Sequence, residues 1–415
     1  MSHESHDIII VGAGMVGISL AHQLIQKFPK CSILLIDKEK SIGFHSSGRN
    51  SGVLHAGIYY EPNSLKAKVC VKGALRLKEW CLQKQIPILK CGKVITPQDP
   101  NLDSSLDLLL ERGKKNGAQV RIINESEFYS RVPDGFTSTG RALFSPNTCV
   151  VNPKVVLSAL KEDIEMKGAR FLFGAQIEFV NTDKNELLIR LVNGEKKLIN
   201  YGYLYNTAGL NSDKVASMFD VGKDFTLLPF KGIYWQLDPN SPFTFRTNLY
   251  PVPDLRVPFL GVHVTPSVDG LITLGPTAIP ALGRENYDGL RGFEPLESIR
   301  FFGELAHQWI ANKNGFRKYS YDQALHGIKP FFLAAARKLI PKLRDSHLIP
   351  SKKVGIRAQL FDTRNQTLIQ DFRLEHTHNS THVLNAISPA FTASFELADL
   401  IIDRSINRVE RRDAK

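Results

Sequence analysis

Asp7-Ile8-Ile9-Ile10-Val11-Gly12-Ala13-Gly14-Met15-Val16-Gly17 is the stretch that decides the fold. Its first five residues form a short apolar, β-branched run, the pattern of a parallel strand buried on both faces. Three glycines at G-x-G-x-x-G spacing follow at once. From Ile18 the apolar residues Leu20, Ala21, Leu24 and Ile25 recur at helical spacing, and Pro29 ends the helix. A second apolar run, Ser32 to Ile36, closes with Asp37. The order strand, glycine turn, helix, strand, acid is that of a dinucleotide-binding βαβ unit.

Each part of that unit has a mechanical duty. Gly12 permits the tight turn, Gly14 lets backbone approach a pyrophosphate, and Gly17 lets helix and strand pack closely. The helix N-terminus faces the negative charge. Asp37, 20 residues after Gly17, is placed to accept hydrogen bonds from ribose hydroxyls. The bland alternative is a structural turn with Asp37 as a cap. The next stretch, Gly43 to Tyr60, is dense in small and hydroxyl residues and holds one arginine, Arg49. Such a segment can wrap a pyrophosphate and pass backbone close to a flat ring, or it is a long surface loop.

Working outward, helices are expected over Leu65–Leu82, Asn101–Asn116, Asn152–Lys167, Glu297–Ile310 and Phe331–Leu343, with a last one from Pro389 to Ile402. Short strands fall at Val120–Ile123, Arg170–Phe173, Leu187–Val192 and Lys197–Leu204, and Leu227–Leu274 reads as antiparallel sheet. No internal repeat or low-complexity linker separates these pieces, so the domains are expected to be interleaved. A chain of 415 residues with 43% hydrophobic and 23% charged residues can bury more than one sizeable core. The five cysteines, Cys31, Cys70, Cys81, Cys91 and Cys149, form no CxxC pair and no metal-ligand spacing. A reduced, cytoplasmic protein without a bound metal is expected. The most apolar stretch, Ile8 to Ala21, is too short to cross a bilayer and lacks the flanks of a signal peptide. The net charge of +12 favours a negatively charged partner of some kind.

The run from Ser46 to Cys70, SSGRNSGVLHAGIYYEPNSLKAKVC, resembles the second signature of the L-2-hydroxyglutarate dehydrogenase/oxidase family. These are FAD enzymes of the glycine oxidase and D-amino acid oxidase fold group. The resemblance continues through Asn206-Thr207-Ala208-Gly209-Leu210, Pro229–Gly232, Tyr250–Pro253, Pro258–His263 and Gly275-Pro276. It ends in Gly355–Gln359 and Asn385–Ser394, so it spans nearly the whole chain in order. The chain departs from the family in Lys231, often Arg there, in Trp235 for Tyr, and in Ile387 and Phe391 of the last motif.

The resemblance implies an α/β fold: a Rossmann-type FAD-binding domain interleaved with an antiparallel-sheet substrate domain. The FAD domain would take residues 1–90, 146–228 and 352–415, and the substrate domain residues 91–145 and 229–351. FAD would be held by Gly12, Gly14, Gly17, Asp37, Ser46, Ser47, Arg49, Asn50, Ser51, Ala208, Gly209, Ser388 and Thr392. Ser388 to Ser394 would open a helix whose N–H groups face the flavin ring. The implied reaction is oxidation of L-2-hydroxyglutarate to 2-oxoglutarate, with hydride passing to the flavin and electrons on to a quinone or O2. Malate or another 2-hydroxy acid, and glycerol 3-phosphate, are the alternative substrates.

Flavin oxidation of a hydroxy acid needs a base near the hydroxyl and cations for the carboxylates. His55 and His263 are the candidate bases and His326 an outsider; a lone histidine is more often packed or at the surface. Arg357 is the first candidate carboxylate clamp, because arginine grips carboxylate bidentately, with Lys231 and Arg49 behind it. Tyr60 and Tyr250 are candidate hydroxyl donors or plain core aromatics. Phe331 to Arg344 is a basic apolar helix, and Arg404, Arg408, Arg411, Arg412 and Lys415 follow at the C-terminus. That face is suited to anionic lipid, which implies peripheral contact with the inner face of the cell membrane; the alternative is an ordinary domain helix with a solvated basic side. A nucleic-acid-binding flavoprotein is the reading from another class. The basic residues are scattered rather than clustered with exposed aromatics, so no nucleic-acid partner is expected.

Overall fold

The computed structural model describes residues 4–255, 260–312 and 316–413, with side chains omitted at 319 and from 406 onward. Pro258 and Phe259, and the side chains of Arg408, Arg411, Arg412 and Lys415, lie outside the described residues.

The first strand, Glu4–Val11, runs parallel to Ile33–Asp37 on one side and to Lys196–Asn206 on the other. Arg170–Phe173 extends the sheet parallel beyond Ile33–Asp37, and Ser380–Asn385 pairs parallel with the end of Lys196–Asn206. With its antiparallel edges this sheet has eight strands. Its inner residues Ile9, Ile10, Leu34 and Leu35 are all but fully buried, as the continuous apolar runs require. The helix Met15–Lys27 packs on this sheet beside Pro153–Met166 and Ser394–Asp413, joining Ile18, Leu20, Leu160, Leu397 and Ile401 in one core. Asn152 caps its helix by accepting a hydrogen bond from the Lys154 amide at 3.1 Å, the duty that Asn-Pro suggests in the sequence.

A second, ten-stranded sheet is mixed. Its spine is the antiparallel pair Phe225–Leu237 with Leu348–Asp362, paired from Phe225↔Asp362 to Leu237↔Leu348 with a shift of register between Ile233 and Trp235. His263–Pro266 pairs antiparallel with Ile272–Gly275, whereas Asn248–Pro251 runs parallel to Lys93–Thr96. The two spine strands lie wholly in this sheet and run across positions 228 and 351.

Two helices differ from the sequence reading. The expected helix at Pro389 begins only at Ser394; residues 388–393 form turns. The cause is tertiary: Thr392 Oγ1 accepts from the His55 amide at 3.1 Å and donates to the Val53 carbonyl at 3.2 Å. A Cβ at Gly73 would lie 2.6 Å from the Ala393 Cα, so that backbone is pressed against helix Leu65–Gln83. The basic apolar helix is shorter than read, Lys329–Arg337, because the chain bends to bury Leu339, Ile340 and Leu343. Its apolar side, Phe332, Leu333 and Ala336, belongs to the core of the second sheet and is not offered to a membrane.

Candidate active site

A cavity of about 960 Å³ runs between the two sheets, from Gly12, Gly14 and Asp37 at one end to His55, Tyr250 and His263 at the other. That volume suits a large bound ligand. At the first end Gly12 has φ +103°, and a Cβ on Gly17 would fall 2.0 Å from the Gly12 carbonyl oxygen. Only glycine permits this turn and this helix-to-strand contact. The helix starting at Met15 has no side-chain cap and no acidic residue in its first turn. Gly14, Met15 and Val16 at its start line the cavity and make an anion site, in which the Met15 amide donates to Ser47 Oγ at 2.9 Å. Asp37 accepts from the amides of Ala13 at 2.7 Å and Glu39 at 2.9 Å, which fixes the turn against its strand. Burial raises its pKa.

The loop after the second strand is built from its own side chains. Ser46 donates to the Ile356 carbonyl at 2.7 Å, and Asn50 donates to the Ser47 carbonyl at 2.6 Å and accepts from the Gly52 amide at 2.8 Å. Arg49 donates to the carbonyls of Phe44 and Val354 and stacks on Tyr287, 4.0 Å from the ring centre. Ser46, Ser47, Arg49, Asn50, Ser51, Ala208, Gly209, Ser388 and Thr392 all line the cavity; Gly17 packs behind it. Lys38 next to Asp37 bonds the carboxylates of Glu39 and Glu285, and His45 joins the same cluster.

At the far end the two histidines have different hydrogen-bond constraints. His263 Nδ1 lies 2.9 Å from the Gly261 carbonyl, which can only accept. The proton is therefore on Nδ1, and Nε2 carries a lone pair. The ring stacks on Tyr250 at 3.8 Å, and burial pushes its pKa down to about 3. His55 Nδ1 lies 3.5 Å from Lys93 Nζ, and its Nε2 lies 3.3 Å from Ser388 Oγ. Burial, with help from Lys93 and His263, holds His55 well below the usual histidine range. Tyr60 and Tyr250 also line this end, and burial keeps both phenols protonated. Arg357 lines it from strand Leu348–Asp362, directly opposite Phe230 in the neighbouring strand.

Lys231 is not brought to this wall. Phe230 and Gly232 line the cavity, and strand alternation turns the residue between them to the other face. There its ammonium donates to Asn286 Oδ1 at 2.8 Å. His326 does not line the cavity either.

Two lysines escaped the sequence reading. Lys66 lines the cavity and Lys93 lies just behind His55; they are 6% and 1% exposed. Burial pushes each down to about 7. A signal existed for Lys66: it falls on the apolar face of its helix with Val69, Cys70 and Gly73, at i, i+3, i+4 and i+7.

The architecture fits FAD on the molecule's own evidence. One cavity connects a helix N-terminus that follows a glycine turn, and an acid suited to ribose, with a chamber of buried histidines, tyrosines and cations. Residues 7–404 match the family model described as FAD dependent oxidoreductase. The human mitochondrial L-2-hydroxyglutarate dehydrogenase is 34% identical, with 99% of this chain and 90% of that protein covered. The L-2-hydroxyglutarate dehydrogenase of Escherichia coli K12 is 32% identical over 96% of this chain and 93% of its own. An FAD-bound L-alpha-glycerophosphate oxidase from Mycoplasma pneumoniae shares the fold, with TM-score 0.74 at 19% identity, covering 97% of this chain and 95% of that one. The similarity runs over nearly the whole length of both chains, and the chain belongs to the FAD dependent oxidoreductase family, among the L-2-hydroxyglutarate dehydrogenases.

Proposed function

We propose that this protein oxidises L-2-hydroxyglutarate to 2-oxoglutarate. Near-full-length similarity to enzymes named for that substrate carries the reading. Gly12, Gly14, Asp37 and the 46–51 loop would hold FAD, together with Ala208, Gly209, Ser388 and Thr392, which line the same cavity. When bound, FAD supplies the two-electron acceptor for the hydrogen leaving the substrate carbon.

The chain's own residues handle charge and protons. His263 Nε2, its lone pair fixed by the Gly261 carbonyl, takes the hydroxyl proton. His55 is held the other way round: a protonated Lys93 can only donate to Nδ1, which leaves the proton on Nε2 to be given to Ser388 or to a substrate oxygen. Arg357 grips the carboxylate beside the reacting carbon. Tyr60 and Tyr250, kept protonated, are hydroxyl donors in the same chamber. The decisive assay is kcat/KM with a dye acceptor on L- and D-2-hydroxyglutarate, L-malate, L-lactate and glycerol 3-phosphate. L-2-hydroxyglutarate should be the best substrate; a higher value for malate or glycerol 3-phosphate overturns the assignment.

The electrons then leave for a quinone or O2, and a second surface supports delivery at a membrane. No helix among the described residues is long and apolar enough to cross a bilayer. Helix Pro295–Ala311, however, points Leu296, Ile299, Phe302, Trp309 and Ile310 outward, and Leu290 and Phe293 continue the patch. Exposed Arg291, Arg300, Arg317 and Lys318 lie in and beside this segment, a charge pattern suited to anionic phospholipid. Co-sedimentation with phosphatidylglycerol vesicles at low salt should be lost in Leu296→Glu/Ile299→Glu. Equal pelleting of parent and variant refutes this face as the contact.

A further inference from the structure

We propose that Lys66 is the group that reads the carboxylate remote from the reacting carbon; this rests on the hydroxy dicarboxylate reading above. The lysine stands in the first turn of helix Leu65–Gln83 and lines the chamber beside Tyr60 and Arg357. Among the described residues no carboxylate lies within 4.0 Å of its ammonium, although the side chain is 94% out of solvent. The nearest acid, Asp371, is engaged elsewhere: its oxygens accept from the backbone amides of Leu65 at 2.7 Å, Lys66 at 3.0 Å and Phe372 at 2.9 Å. What faces the ammonium is aromatic and distant, with the Tyr60 and Phe372 ring centres at 5.7 and 5.9 Å.

A buried cation without an anion is costly, and a second cation in the same wall makes it worse. Arg357 is that second cation, and its charge opposes protonation of Lys66, as burial does; Asp371 and Cys70 act weakly the other way. A ligand with two carboxylates relieves both costs at once, one group on Arg357 and one on Lys66. A monocarboxylate leaves Lys66 as it stands. The two other cations considered for this duty are occupied, Lys231 by Asn286 on the far face of its strand and Arg49 by two carbonyls and the Tyr287 ring.

The test uses FAD-loaded protein and two kinds of measurement. In calorimetry at pH 8, in two buffers of different ionisation enthalpy, glutarate should bind the parent with uptake of most of one proton, because the carboxylate recharges the lysine. Lys66→Met and Lys66→Gln should lose that proton uptake and at least tenfold in glutarate affinity, with pentanoate binding within threefold of the parent. In stopped flow, the variants should lose tenfold or more on L-2-hydroxyglutarate and less than threefold on L-2-hydroxypentanoate, with Lys66→Arg partly restored. Persistence of proton uptake in both variants, equal losses on the two substrates, or failure of the parent to bind glutarate overturns the proposal. A parent that takes up the proton with glutarate yet turns over malate best keeps Lys66 as a carboxylate site and sinks the substrate assignment instead.

Discussion

Lys93→Met should make the protein more stable and less active. Lys93 is 1% exposed, and among the described residues no carboxylate comes within salt-bridge distance of it. Its surroundings are His55 at 3.5 Å and the Tyr250 ring at 4.1 Å. Burial moves its pKa from 10.5 down to about 7. Between those two values the unfolded chain binds more protons than the folded one, so this lysine destabilises the fold below its unfolded pKa and the penalty shrinks as pH rises toward 10.5. At about 1.4 kcal/mol per pKa unit the penalty at pH 7 is about 4 kcal/mol, and at pH 9 about 2. Methionine forfeits the cation–π contact, worth about 1–2 kcal/mol, so the net gain at pH 7 is about 2–3 kcal/mol. With an unfolding entropy of about 2 cal/mol/K per residue, that raises Tm by about 3 °C at pH 7 and by no more than about 1 °C at pH 9. Differential scanning fluorimetry of holoprotein at the two pH values, with flavin content checked by absorbance, measures it. Stopped-flow flavin reduction should meanwhile slow by about tenfold or more, since the constraint on the His55 tautomer is gone. A Tm that falls at pH 7, or a gain that grows with pH, refutes the burial argument; an unchanged reduction rate refutes the positioning role.

Three further outcomes are expected. Asp37→Ala should yield protein that loses FAD on gel filtration while the flavin-loaded fraction keeps its KM for substrate, because Asp37 ties the glycine turn rather than touching the reaction chamber; a raised KM with full flavin would contradict this. His263→Ala should slow flavin reduction by ~10²–10⁴-fold, whereas His55→Ala, losing a donor rather than a base, should cost less; equal losses would refute the assignment and a larger loss from His55→Ala would reverse it. Stability should fall as pH drops from about 6.5 toward 4, because His22, His263 and His382 are held neutral with pKa values pushed down by burial to about 4, 3 and 3. Each contributes about 1.4 kcal/mol per pH unit in that window, so a thermal midpoint unchanged between pH 7 and 5 would count against all three.

The parts of this molecule legible in its sequence are those where local geometry and ligand chemistry coincide. Gly12, Gly17 and Asp37 could be read because a positive φ, a backbone contact and an acid at a strand end each demand a residue type at a fixed spacing. Residues 388–393 could not, because what keeps them out of a helix is Thr392 bonded to residues 337 and 339 positions earlier in the chain. Lys231 was misplaced by one step of strand alternation, a choice that depends on which face of the sheet meets the cavity. Lys93 left no periodic trace in a four-residue strand, whereas Lys66 did leave one on its helix. For the histidines, the sequence offered two candidates of similar weight, and what distinguishes them is tertiary: the Gly261 carbonyl at His263, and Lys93 with Ser388 at His55.

The parallel pairing of Glu4–Val11 with Lys196–Asn206 also sets when this protein can acquire its structure. The first strand leaves the ribosome long before this second partner exists, and Ser380–Asn385 and the helix from Ser394 come later still. Sequence separations of that size place it among slow-folding, high-contact-order topologies. Until those residues are made, the side of helix Met15–Lys27 that packs against Leu397 and Ile401 is uncovered, and such exposed apolar surface invites aggregation. Deletion of the final helix, far from the chemistry, should therefore appear as aggregation during expression rather than as a weaker enzyme.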